Sequence, residues 1–174
     1  MRNGLYFLSS LSDSDIDWLV TAGQRREMAA GINLIEEGRP IDSLFLVIDG
    51  AFAVRTAGPE ARGTTRLLAG EVVGEMSFVD SAMPPATVQA LEDSFVLAIP
   101  RRRLNARLAE DLGFASRFYR ALSMLLADRL RASIAAVSGA APLDENGELP
   151  VDMMDDVGMA IARFDWIQQR LRSA

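Results

Sequence analysis

The sequence predicts an antiparallel β-roll, jelly-roll-like, mainly β with helices flanking it at both ends. Three observations carry that reading. Short apolar runs follow one another from Arg26 to Ile99, each bounded by Gly, Pro or Asp-Gly. The segments before and after them repeat their apolar residues with the period of a helix instead. The chain has 174 residues, and its 49% apolar content is enough for a full core.

Ser12-Asp13-Ser14-Asp15 offers N-caps for a first helix carrying Ile16, Leu19 and Val20, with acids in the first turn and Gly23 as its C-terminal stop. Strands are expected at Arg26–Ala30, Ile32–Glu36, Leu44–Ile48, Ala51–Arg55, Thr64–Leu68, Thr87–Leu91 and Phe95–Ile99. Asp49-Gly50 lies between two of these runs. It predicts a hairpin in which Ala51–Arg55 pairs back on Leu44–Ile48. Residues 58–63 read as an exposed loop. Pro100 is expected to stop the last strand. Arg101–Asp111 reads as a helix broken from the next by Gly113. Phe114–Ser138 has the longest helical pattern, with an apolar band over Phe118, Leu122, Leu125, Leu126, Leu130, Ile134 and Val137, and Gly139 as its terminator. Pro142, Gly147 and Pro150 among acids make 140–151 an acidic linker. Residues 152–174 form a last helix with Val157, Ile161, Phe164, Ile167 or Gln168, and Leu171 on one stripe. Its acids stand at the N-terminal end and Arg170 and Arg172 at the C-terminal end. The expected organisation is therefore a domain over 1–139, a linker and a helix.

Composition excludes several classes of function. There is no cysteine and no histidine, so the usual ligands of zinc, haem and iron–sulfur sites are missing, and so are Ser-His-Asp and Cys-His catalysis. No metal, no cofactor and no catalytic residue is expected. The net charge is −6 and every basic residue is arginine. Residues 1–139 carry 15 arginines against 17 acids, and residues 140–174 carry 3 against 7. Such an acidic chain, with a pI near 4.7, is not expected to bind DNA specifically. No membrane span or signal peptide is read, and a cytoplasmic location is expected.

The distinctive stretch is Gly74–Val88, GEMSFVDSAMPPATV, entered through Gly70-Glu71-Val72-Val73. Gly-Glu leads into a short apolar turn at Met76, Phe78 and Val79, then a loop through Pro84 and Pro85, then a strand from Ala86-Thr87. This resembles the phosphate-binding cassette of the cyclic-nucleotide-binding domain family, found in catabolite-activator-type (Crp/Fnr) regulators and in kinase regulatory subunits. The resemblance extends over roughly Leu11 to Val137 and includes the strand–Gly50–strand signature. It implies that Gly74 lets the backbone approach an anion, that amides near Met76 and Ser77 face a phosphate, and that Glu75 accepts from a ribose hydroxyl. It implies cAMP or cGMP as ligand. Where the family has an arginine and a small residue, this chain has Pro84 and Pro85. Proline carries neither charge nor N–H, so weak or lost binding is expected. In the long helix, Leu122-Ser123, Ala127, Arg129-Leu130 and Ser133 resemble the corresponding helix of catabolite activators. That likeness implies Arg129 near Glu75 and Ser133 near a base. Read without the resemblance, Gly74–Val79 is a turn, Arg129 a surface charge near Asp128, and Ser133 a small residue at a helix crossing.

The resemblance implies a non-catalytic regulatory sensor, a homodimer paired through 114–138. A second reading is a protein-interaction module that uses the long helix or the tail at 152–174. A third is a transcription regulator lacking its DNA-binding domain. Arg101-Arg102-Arg103 with Arg107 reads either as a solvated helix start or as a site for phosphate or an acidic partner.

Overall fold

Ser12 starts the first long helix. In the computed structural model, which describes residues 7–56, 65–138 and 154–172, α1 spans Asp13–Ala22 and opens with a reciprocal capping box between Ser12 and Asp15. A short helical turn at 7–9 precedes it. Gly23 ends α1, but with extended backbone (φ −81°) instead of the left-handed form. Its reason is space: a Cβ there would lie 2.5 Å from Leu97 Cδ1.

Eight strands follow: β1 Gln24–Met28, β2 Asn33–Ile35, β3 Ser43–Asp49, β4 Ala51–Arg55, β5 Thr65–Leu68, β6 Val72–Val73, β7 Thr87–Ala90 and β8 Ser94–Pro100. They form two four-stranded antiparallel sheets, ordered β1-β8-β3-β6 and β2-β7-β4-β5. The fold class read from the sequence is the one observed. The two-residue strand β6 was not anticipated.

The hairpin expected at Asp49-Gly50 does not form. β3 pairs with β8 and β6, whereas β4 pairs with β5 and β7. The chain changes sheets at Gly50, which takes φ 86° and packs against Ser94 so closely that a Cβ would lie 2.5 Å from the serine Cβ. Glycine is needed here for a corner between layers and for close approach.

β3 explains the unbroken run LFLVI. Leu44, Leu46 and Ile48 belong to the core beneath the helices, and Phe45 and Val47 to the core between the sheets. A strand buried on both faces needs no polar alternation. The inter-sheet core adds Met28, Leu34, Ile35, Phe52, Val88 and Val96.

β8 runs through Pro100, which then caps α3, Arg101–Glu110. Asp111, not Gly113, makes the break: α4 already runs from Leu112 to Ser138, with Asp111 Oδ1 accepting from Phe114 N at 2.9 Å. The first half of α4 is the buried half, through Phe114, Phe118, Ala121, Leu122 and Leu125. A cassette helix, α2, covers Glu75–Asp80, and α5 covers Met154–Arg172. The loop at 58–63, the linker at 140–151 and Gly139 lie outside the described residues.

α5 packs on the same core by Ala160, Phe164, Ile167 and Leu171. Val157 is half-buried at the start of the expected stripe, whereas Ile161 falls off it; Ile161 is exposed and Ala160 takes the inward position. Gln168 Nε2 donates to Ile48 O at 2.7 Å and Arg25 Nη1 to Leu171 O at 2.9 Å, fastening the helix to the sheet.

Candidate functional site

β6 delivers the chain into the cassette. Gly74 follows it with φ 88° and N-caps α2. A Cβ at this glycine would meet only the tip of Ile41, Cδ1 at 2.8 Å, so it is the left-handed conformation that demands glycine. α2 is a single short helix, its turn closed by Phe78 N to Gly74 O at 3.1 Å and ended by Ser81 in the left-handed region (φ 60°).

Glu75 and Arg129 are brought together. The carboxylate is 3% exposed, and Arg129 Nη1 donates to its Oε1. Arg129 Nη2 donates to Val72 O at 2.6 Å. One guanidinium on α4 therefore holds both the strand that enters the cassette and its first helical residue. The planar fork of arginine suits two acceptors side by side. Nothing in the sequence marked the Val72 carbonyl as the second acceptor, because a backbone acceptor leaves no residue-type signal.

The back of the cassette is stitched elsewhere. Pro84 is buried and its carbonyl accepts from Gly38 N at 2.9 Å. Thr87 Oγ1 accepts from Glu37 N at 3.1 Å. Pro85 is exposed and Ala86 half-buried. Ser77 is buried while Met76 is exposed. Ser133 lies one turn beyond Arg129 on α4, exposed, without a side-chain hydrogen bond among the described residues.

Two other arginines lie on neighbouring segments, Arg39 next to the residue that bonds the Pro84 carbonyl and Arg66 in β5. Arg39 pairs with Glu36 at 2.8 Å on the surface. Arg66 is opposite Ala53 in β5, on the face away from the buried Leu67, hence outside the roll. Three of the four arginines of the α3 cluster make structural contacts, and Arg102 is exposed. Arg101 Nη2 lies 3.4 Å from Phe78 O, with its guanidinium 5.5 Å from the Phe78 ring centre. Arg103 donates to Ala22 O at 3.0 Å, and Arg107 pairs with Asp111 at 2.8 Å. Among the described residues, no group of three or more acids could hold a metal ion, and no helix is long and apolar enough to cross a membrane.

A two-sheet roll that carries a glycine–glutamate helix at its mouth and a long helix clamped onto it defines a regulatory ligand-binding module. The chain belongs to the cyclic nucleotide-binding domain family, whose sequence model matches residues 25–111. Among solved structures, a cyclic nucleotide-binding domain from Methylobacillus flagellatus is similar at a TM-score of 0.71 and 24% identity, covering 86% of each chain. The catabolite activator protein of Thermus thermophilus is similar at 0.66 and 21% identity, covering 97% of this chain and 87% of that one. The transcriptional activator FnrA of Stutzerimonas stutzeri is 38% identical over 59% of this chain. An uncharacterized NTE family protein of Mycobacterium tuberculosis is 27% identical over 68% of it. The chain spans 43% of the former's length and 20% of the latter's.

Proposed function

We propose that this chain is a non-catalytic regulatory module in which binding of cAMP or cGMP is weak or lost, working in the cytoplasm as a homodimer through 114–138. The observation that carries the reading is the residue at the phosphate-anchoring position: Pro84 is buried and supplies neither a charge nor an N–H to a phosphate, while its carbonyl accepts from Gly38 N. A charge-assisted hydrogen bond to phosphate contributes about 1.5–3 kcal/mol, so its loss weakens binding roughly 10- to 150-fold.

The dimer is supported by the far half of α4, where Leu130 is 62% and Ile134 58% exposed, one turn apart. A partner-binding role for 152–174 has less room, since the apolar stripe of α5 is already buried on its own domain. No sequence-specific contact with duplex DNA is part of this function.

Isothermal titration of the purified chain with cAMP and with cGMP tests the reading. The expected Kd is about millimolar for both. A micromolar Kd for either overturns it.

A further inference from the structure

A groove runs between α1 and α5, away from the cassette. It is open to solvent along one side and has a volume of about 530 Å³, within the roughly 300–1,000 Å³ typical of sites for small organic ligands. α1 contributes Asp13, Ile16 and Asp17, one helical face; α5 contributes Met159, Ala162, Arg163 and Trp166, again one face. Met159, Ala162 and Trp166 form the stripe beside the buried one, and Met159 and Trp166 stay partly exposed. Ile16 is fully covered and makes the floor.

The charges decide the ligand. Arg163 is consumed: its Nε donates to Asp13 Oδ1 at 2.8 Å, and its Nη1 to Leu8 O at 3.0 Å and Ser9 O at 3.3 Å. Asp17 is exposed at the rim and has no side-chain partner among the described residues. The groove therefore has apolar walls, an indole ring and one hydrated carboxylate at its edge. The carboxylate disfavours an anion and adds a modest attraction for a cation. A cation with an apolar body uses both features, its charge at Asp17 and its body along Met159 and Trp166.

We propose that the α1–α5 groove is a binding site for a small organic cation of the aryl- or alkylammonium class. The site shares no residue with the cassette, so its test is independent of nucleotide binding.

The chain has two tryptophans, which makes the indole N–H signals direct reporters, assigned with Trp166→Phe. Trp18, its ring centre 5.4 Å from that of Phe114 and tilted by 60°, reports on the packing of α1 against α4. The probes are 2-phenylethylammonium and its neutral isostere 2-phenylethanol. A saturable shift of the Trp166 signal is expected with the ammonium, and about three- to fivefold weaker binding of the alcohol. Asp17→Asn should lower ammonium affinity to that of the alcohol and leave the affinity for the alcohol unchanged. The inference is overturned by absence of a saturable shift up to about 10 mM, by equal affinity of the two probes, or by an unchanged preference in Asp17→Asn.

Discussion

Arg129 reaches from the long helix α4 to Glu75 at the start of the cassette helix and, with the same guanidinium, to the carbonyl of Val72. The pair joins the cassette helix α2 to the long helix α4. Arg129→Met keeps the stem but leaves a nearly buried carboxylate without a counter-charge. Its cost should be about 3 kcal/mol, the lower end of the range for breaking a buried pair, since Arg129 is a quarter exposed. Glu75→Gln keeps an acceptor for the guanidinium and should cost only about 1–2 kcal/mol. Urea denaturation measures both. Equal and negligible losses would mean that the contact contributes nothing in solution.

A second arginine ties α4 to the N-terminal helix and gives the fold a pH dependence. Arg117 Nε donates to Asp15 Oδ2 at 2.6 Å and Nη2 to Oδ1 at 2.9 Å, while Ser12 N donates to Oδ2 at 2.8 Å. Burial pushes the Asp15 carboxyl up, but the hydrogen bonds from Arg117 and Ser12 outweigh it and hold the group below its ordinary value of 3.8. The unfolded chain therefore takes up this proton at a higher pH than the native state does. The stabilisation is whole above the ordinary value and drains away as pH falls through the lower native one. Asp15→Asn should be less stable than wild type at pH 7, with a gap that shrinks below about pH 4. A gap that stays constant from neutral to acid pH in urea titrations contradicts this.

Gly50 shows where sequence reasoning stopped. Asp-Gly between two apolar runs specifies a tight corner with positive φ, and that corner is present. Nothing local says whether the next strand folds back on the previous one or crosses to another sheet; the partners of β4 lie at residues 65–68 and 87–90, chosen by packing. The same limit explains Gly23, whose need is the side chain of Leu97, and Ala160, which replaced Ile161 on the buried stripe of α5. The cassette and its Arg129–Glu75 pair were legible through the family resemblance; the residue types alone read as a turn and a surface charge. The anchoring of Pro84 by Gly38 was not legible, since both groups are backbone. Gly50→Ala should be severely destabilising, because strain and the collision with Ser94 add. Gly31→Ala, at φ 83° with nothing within 4 Å, should cost only the conformational term of about 1–2 kcal/mol. Thermal melts of the two variants compare them directly, and similar melting temperatures would refute the close-approach argument.

Leu130 tests the proposed dimer. Its side chain is exposed on a helix anchored upstream by Phe114, Phe118 and Leu122, so a charge there should not disturb the fold. Burying such a leucine contributes roughly 1.5–3 kcal/mol. Leu130→Glu should give a folded monomer. Leu126→Glu should do the same with some loss of stability, because Leu126 is already half-buried. Sedimentation at about ten times the dimer Kd reads the outcome, as mass action sets the dimer fraction. A wild-type chain that sediments as a monomer at tens of micromolar removes the dimer from the proposed function.

Pro84 is where the proposed loss of affinity can be reversed. Pro84→Arg, combined with Pro85→Ala, supplies the missing cation and frees φ at both positions. It also relieves the restriction that proline places on Met83. The bond from Gly38 N to Pro84 O is made by a carbonyl that arginine also has, so the loop keeps its anchor. Thr87 keeps its bond from Glu37 N, since neither substitution touches it. The gain should be about 10- to 150-fold in affinity for cAMP or cGMP, the reverse of the loss attributed to the missing cation. Full recovery is not expected, because position 84 is buried and an arginine placed there must first be desolvated. Calorimetric titration of wild type, Pro84→Arg and Pro84→Arg/Pro85→Ala orders the three. If wild type binds at micromolar Kd and arginine changes nothing, the phosphate is neutralised by another group, and the cassette does not work through position 84.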